Sequence, residues 1–278
     1  MEKLILVYGL QRSGNHAIIN WISSFYSSVV FFNDLEHDFF DSDANKKNIE
    51  KELKNHVVIC SFEDSSNKMR PNLSFLESSP SPFSSFFSQF DVIPVFIVRD
   101  PYNCWASRKV AHSKRGLTSS NNLKEFVYNW KSIALKYIND EGFILVAYNS
   151  WFKDPGYRKK LWRDFGGEFY SEESLKKVPS YGGGSSFDGK DVHAAIKKIA
   201  RNPMRYLNFK NLVRLCKSPV PTLTRVFKGS QVKASDLRVE GRWLAIREEQ
   251  DFDVLVEDIE LRELSEYLTN FSIPGSIE

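Results

Sequence analysis

Residues 4–21 read LILVYGLQRSGNHAIINW. Leu4, Ile5, Leu6 and Val7 form a short apolar run of strand-forming residues that stops at Gly9. Such a run, without polar alternation, suits a strand buried on both faces. From His16 the pattern changes. Ala17, Ile18, Trp21, Ile22 and Phe25 recur at three- and four-residue spacing, which marks one face of a helix. Between the two lies Gly9-Leu10-Gln11-Arg12-Ser13-Gly14-Asn15. A strand, a glycine-bracketed loop and a helix aim backbone N–H groups and a helix N-terminus at one point. Such a point favours an anion, usually phosphate.

Gly9-x-x-x-x-Gly14 matches the first half of a nucleotide-triphosphate P-loop, and then the match ends. The Lys and Ser/Thr expected next are Asn15 and His16. The usual Mg2+ ligand and the cation for the β/γ-phosphates are therefore missing, which weakens an ATPase or GTPase reading. The cation stands earlier, at Arg12. Arg12-Ser13-Gly14-Asn15-His16 instead resembles the 5′-phosphosulfate-binding loop of sulfotransferases, whose usual form is Lys-Ser-Gly-Thr-Thr. Gln11 to Gly14 resemble the Gln-Arg-Ser-Gly form of some bacterial members, including those acting on trehalose.

A second signal lies at residues 92–108, VIPVFIVRDPYNCWASR. Residues 92–98 read as a strand. Asp100-Pro101 starts a helix, with Pro suited to its first turn and Trp105 and Ala106 facing inward. Arg99 then ends the strand, and Ser107 lies two turns into the helix. An Arg and a Ser at this spacing resemble the pair with which sulfotransferases hold the 3′-phosphate of their cofactor.

Working outward, residues 29–32 read as a strand followed by Asn33-Asp34-Leu35-Glu36-His37-Asp38. The carboxyl ends of strands line the ligand crevice of an open α/β sheet, so this acidic cluster can supply a general base. Glu36 and Asp38 are the first choice. The stretch Glu36 to Phe40 resembles an acidic, Phe-Phe-containing segment of the trehalose-type enzymes. Residues 45–55 form a polar helix and residues 56–61 a third strand, with Glu63 and Asp64 just past its end. His37 and Glu63 are the fallback bases. Residues 65–89 are rich in Ser, Pro and Phe, with Phe83, Phe86 and Phe87 expected to pack inward. Residues 122–137 carry a helical apolar face and residues 143–148 a fourth core strand. Tyr148-Asn149-Ser150-Trp151 resembles the family's Tyr-Glu-Asp-Leu without its acids, so only Tyr148 carries over, as a neighbour of the adenine.

Residues 182–190, GGGSSFDGK, resemble a late mobile loop of bacterial sulfotransferases that closes over the nucleotide, and Lys190 could add charge there. Residues 192–235 contain ten Lys and Arg and no Asp or Glu, so most of the positive excess is concentrated there. In the family a Gly-rich loop leads quickly to an Arg-Trp helix start. Here Arg242-Trp243 follows about fifty residues later, so residues 192–235 read as a basic helical insertion. Such a segment can meet an anionic surface. Residues 242–271 read as paired terminal helices.

At 278 residues with 42% apolar and 26% charged content, the chain is an ordinary globular protein able to bury a full core. A formal charge of +3 does not argue for nucleic acid. Three unevenly spaced cysteines fit a reducing compartment, and no metal-ligand cluster appears among the five histidines. With no signal peptide or membrane-length apolar run, a cytoplasmic location is expected.

The expectation is one α/β domain over residues 1–278, with the three-layer P-loop sulfotransferase-like fold, a central parallel sheet and the basic insertion. Its resemblance implies transfer of a sulfuryl group from 3′-phosphoadenosine 5′-phosphosulfate to a hydroxyl or amine of a small-molecule or glycan acceptor. The catalytic set is then Arg12, Glu36 and Asp38. The cofactor set is Arg12, Ser13, Gly14, Asn15, His16, Arg99 and Ser107, with no metal. A kinase-like P-loop phosphotransferase and a non-catalytic anion- or partner-binding module are the alternatives.

Overall fold

The computed structural model describes residues 2–36, 38–63, 86–115, 123–139, 142–172, 175 and 241–273. His37, Asp64, Phe83, residues 182–190 and the basic segment 192–235 lie outside the described residues. Apart from Glu172 and Leu175, all that is described belongs to one compact unit built from residues 1–171 and 239–278.

Five strands form its centre: β1 (Lys3–Gly9), β2 (Val29–Phe32), β3 (Val57–Glu63), β4 (Asp91–Val98) and β5 (Ile144–Ala147). They lie in the order β2-β3-β1-β4-β5, and every pairing is parallel. The fold class is α/β, as the apolar runs of the sequence require. Pro94, which cannot donate to a ladder, pairs with Leu6 of β1 and stands one residue before the pairing with β5 begins at Val95.

The helices, labelled in chain order among the described residues, are α1 (Asn15–Ser23), α2 (Asp43–Leu53), α3 (Pro101–Arg115), α4 (Leu123–Asn139), α5 (Tyr148–Lys153), α6 (Pro155–Asp164), α7 (Gln250–Glu257) and α8 (Ile259–Thr269). Successive side chains of a strand point to opposite faces. Leu4, Leu6 and Tyr8 join one core cluster with Trp105 of α3, Trp130 of α4 and Leu261 of α8. Ile5 and Val7 are buried outside that cluster, as are Trp21, Phe25, Trp151 and Phe165. Trp21 meets Phe25 edge-on at 4.6 Å and Trp151 at 5.8 Å between ring centres.

Two expectations shift. The C-terminal part is three pieces, not two. A 3-10 turn at Arg242–Ile246 precedes α7, and α7 is separated from α8 by Asp258 in extended conformation. That residue's carboxylate accepts the Leu261 N–H and so caps the second helix. Strand β5 ends at Ala147, and Tyr148 opens α5.

Candidate functional site

Strand order reverses at β1. The chain passes from β1 outward to β2, back to β3 on one side of β1, and then to β4 on the other. Ligands of open α/β sheets bind outside the carboxyl ends of the strands at such a reversal. In register, Gly9 stands opposite Glu63 of β3 and Ile97 of β4. The loop 10–14, Glu63 and Arg99 therefore leave the sheet at one edge, from three adjacent strands.

The loop is a tight turn. Ser13 N–H donates to Leu10 O at 3.0 Å, and Arg12 (φ 79°) and Gly14 (φ 95°) both take left-handed conformations. For Arg12 that is a strained position. The Ser13 hydroxyl lies 3.7 Å from the Cys104 thiol, which in turn reaches Gln11 O at 3.6 Å, so α3 supports the loop from below. Ser13 is 1% exposed, and the N–H and hydroxyl that the sequence offers to a cofactor are engaged within the protein.

Gly14 is the N-cap of α1, which has no side-chain cap and no acidic residue in its first turn. Ala17 and Ile18 N–H both donate to Gly14 O. The N–H groups of Asn15 and His16 precede that ladder, as the first N–H groups of any helix do. They are the donors that the helix end offers an anion. Gly14 is required twice over. Its φ suits glycine, and a Cβ there would stand 2.2 Å from the ring of Tyr148.

Asn15 is buried, and its amide donates to Leu10 O at 3.3 Å and to Glu63 Oε1 at 3.1 Å. A Cβ on Gly9 would meet Asn15 Oδ1 at 2.4 Å, so a side chain on the last residue of β1 would evict it. His16 Nδ1 lies 3.4 Å from the same Glu63 oxygen. Burial and the Arg12 cation hold the imidazole pKa below its ordinary value, with Asp34 opposing them.

On the other flank, Arg99 is 2% exposed. Its guanidinium donates to Arg12 O at 3.3 Å and sits 5.0 Å from the Tyr148 ring centre. Trp130 Nε1 holds its carbonyl at 2.8 Å. Tyr148 is thus wedged between Gly14 and Arg99. Next to Arg99, the fully buried Asp100 accepts from Asn103 N–H and Nδ2 at 2.8 and 2.9 Å and from Asn149 Nδ2 at 2.9 Å.

Ser107 of α3 accepts from the Arg242 guanidinium at 3.1 Å. Asn103 Oδ1 accepts the Arg242 and Trp243 N–H groups at 2.7 and 3.2 Å, fixing that turn on α3. Arg99 lies on the loop, whereas Ser107 is engaged with Arg242. Sequence reading set Arg242 aside, because about fifty residues of intervening chain hid its nearness to Ser107. Glu36 and Asp38 follow the edge strand β2 and are exposed, while Glu63, ranked behind them, touches the loop helix. Among the described residues, no group of three or more His, Cys, Asp or Glu side chains could hold a metal ion, and no helix is long and apolar enough to cross a membrane.

No protein-family model and no curated protein matches the chain. Among solved structures, it is similar to a sulfotransferase domain from the curacin biosynthetic pathway. The identity is 13% and the TM-score 0.39, over 63% of this chain and 77% of that one. A likeness so distant carries nothing about chemistry, which has to come from the residues.

Proposed function

We propose that the chain transfers a sulfuryl group from 3′-phosphoadenosine 5′-phosphosulfate to a hydroxyl or amine of a small-molecule or glycan acceptor. In this reading residues 1–278 are one sulfotransferase-like domain, and residues 192–235 are a basic insertion able to meet an anionic surface. One observation carries it: an uncapped helix end and two arginines, Arg12 and Arg99, leave the sheet together at its reversal point. The donor set fits a doubly phosphorylated nucleotide. It consists of guanidinium groups and the Asn15 and His16 backbone N–H groups, with Arg242 and Ser107 adding a further anion-binding pair. The resemblance of Arg12 to Gly14 and of Arg99 with Ser107 to sulfotransferase motifs names the nucleotide.

When bound, the donor supplies the sulfuryl group and a phosphate leaving group. The chain's part is positioning and electrostatics, as in phosphoryl transfer. Arg12 stabilises charge on the leaving phosphate but cannot give it a proton, since its pKa exceeds about 12. The Asn15 and His16 N–H groups orient the phosphosulfate. Arg99 and Ser107, with Arg242, select the 3′-phosphate. A kinase reading is disfavoured by Asn15. It occupies the position of the P-loop Lys, yet its amide is turned onto Leu10 O and Glu63.

Calorimetric titration with 3′-phosphoadenosine 5′-phosphate, against ADP with Mg2+, tests this. We expect tight binding of the 3′-phosphorylated nucleotide only. Arg99→Ala should weaken it at least tenfold, since a charge-assisted bond contributes about 1.5–3 kcal/mol. Preference for ADP with Mg2+ would overturn the proposal.

A further inference from the structure

We propose that the His16 side chain accepts the proton of the attacking hydroxyl, and that Glu63 is its positioning partner. The inference rests on the sulfuryl-transfer reading and departs from the expectation of Glu36 or Asp38.

The geometry begins with β3. Glu63 is its last residue, opposite Gly9 in register, and its Oε1 is held by the Asn15 amide at 3.1 Å. The same oxygen stands 3.4 Å from His16 Nδ1. A carboxylate at Nδ1 selects the tautomer with hydrogen on Nδ1 and leaves the Nε2 lone pair as proton acceptor. Nε2 is shielded from solvent and has no hydrogen-bond partner among the described residues. A contact of 3.4 Å is long, and catalytic contacts of this kind commonly tighten when substrate binds.

Among the described residues, the charged groups around the imidazole are Arg12 from the loop, Asp34 from the segment after β2, and Glu63 from β3. Burial and Arg12 lower its pKa against the opposing effect of Asp34, which favours the neutral ring that can take a proton. Its backbone N–H lies in the first turn of α1, the end proposed to hold the phosphosulfate. Glu36 and Asp38 instead follow β2, two strand spacings from β1, or roughly 10 Å.

The step balances without another reactant. The acceptor oxygen bonds to sulfur as the bond from sulfur to the phosphate oxygen breaks. The electron pair of the broken bond leaves on that oxygen, and the hydroxyl proton passes to His16 Nε2. Transfer should therefore fall as the pH drops through the His16 pKa, which lies under the ordinary 6.5.

The test is long-range 1H–15N NMR of the His16 ring between pH 5 and 8, in wild type and Glu63→Met. The expected result is a neutral ring at pH 7 with hydrogen on Nδ1, and a mixed tautomer population in the variant. A ring protonated at pH 7, hydrogen on Nε2, or a tautomer unmoved by Glu63→Met overturns the proposal. In parallel, sulfate release from the phosphosulfate donor, with water as acceptor, is compared in wild type and His16→Gln. Release should fall about 10²–10⁴-fold, the usual contribution of a general base. A urea denaturation midpoint matching that of wild type shows that the variant is folded. Unchanged release from the folded variant overturns the base assignment alone. Failure of the wild type to bind 3′-phosphoadenosine 5′-phosphate overturns the sulfuryl-transfer reading, and the base assignment with it.

Discussion

Helices α1 and α3 both begin where a strand of the sheet centre ends, β1 for one and β4 for the other, yet their first turns are built in opposite ways. Asp100 caps α3 with a fully buried carboxylate that accepts the Asn103 N–H and is satisfied on both oxygens by Asn103 and Asn149. At the start of α1 there is a glycine, no side-chain cap and no acid. The first pattern recurs at three other helices, whereas α5 has neither a side-chain cap nor a first-turn acid and α7 has only the acids Asp251 and Asp253. Ser42, Asp154 and Asp258 cap α2, α6 and α8 with their side chains. A helix N-terminus carries partial positive charge, which a capping side chain, a first-turn acid or a bound anion can offset. In the proposed function the α1 start is the end that takes an external anion, and α3 is the frame that supports it.

The frame should show the largest effect. Asp100→Ala leaves the Asn103 and Asn149 amides without their buried acceptor and loosens Asn103, which fixes the Arg242 turn. Uncompensated groups of this kind cost about 1–3 kcal/mol each. Urea denaturation should show a loss of about 3–5 kcal/mol. A loss under about 1 kcal/mol would mean that the network does not hold the frame.

Gly14→Ala comes next. It forces an L side chain to φ 95° and pushes on the Tyr148 ring, which also supports Arg99. Left-handed backbone alone costs about 1–2 kcal/mol. A stability loss of roughly 2 kcal/mol is expected by urea denaturation, together with weaker nucleotide binding by calorimetry. Weakened stability with unchanged binding would separate Tyr148 from the site.

The strands and the two helix starts that follow β1 and β4 were legible in the sequence because their signals are local. Apolar runs fix buried strands, and Gly14 and Asp100-Pro101 punctuate them. The base proposed here was harder to find, because which loop neighbours which is set by strand order. Glu36 is nearer to Arg12 along the chain than Glu63 is, yet β3 and not β2 pairs with β1. Arg242 illustrates the same limit, since contact with Ser107 across 135 residues leaves no periodic trace. The resemblance identified residue types at Arg12, Arg99 and Ser107. Their partners follow only from how the strands pair and how the terminal turn docks.

The contrast between the two helix starts can also be erased. Asn15→Asp gives α1 the first-turn acid it lacks and removes the amide donor to Glu63. The added charge offsets the helix dipole and repels phosphate. Binding of 3′-phosphoadenosine 5′-phosphate should weaken roughly tenfold, or about 1.4 kcal/mol. The deficit should shrink at high salt, because part of it is screened. A deficit independent of salt would point to loop collapse instead of charge.

The smallest effect should come from the capped side of the comparison. Asp154 accepts the Gly156 N–H at 2.7 Å at the exposed start of α6, with Pro155 as the first helical residue. Losing an N-cap acceptor costs about 0.5–2 kcal/mol. Asp154→Ala should therefore lower stability by about 1 kcal/mol in urea denaturation. Nucleotide affinity should not change, because α6 starts beyond α5 and contributes no residue to the loop edge. If affinity changed with it, internal capping and anion binding would not be separate uses of helix ends in this protein. The uncapped start of α1 would then lose its standing as a functional signal.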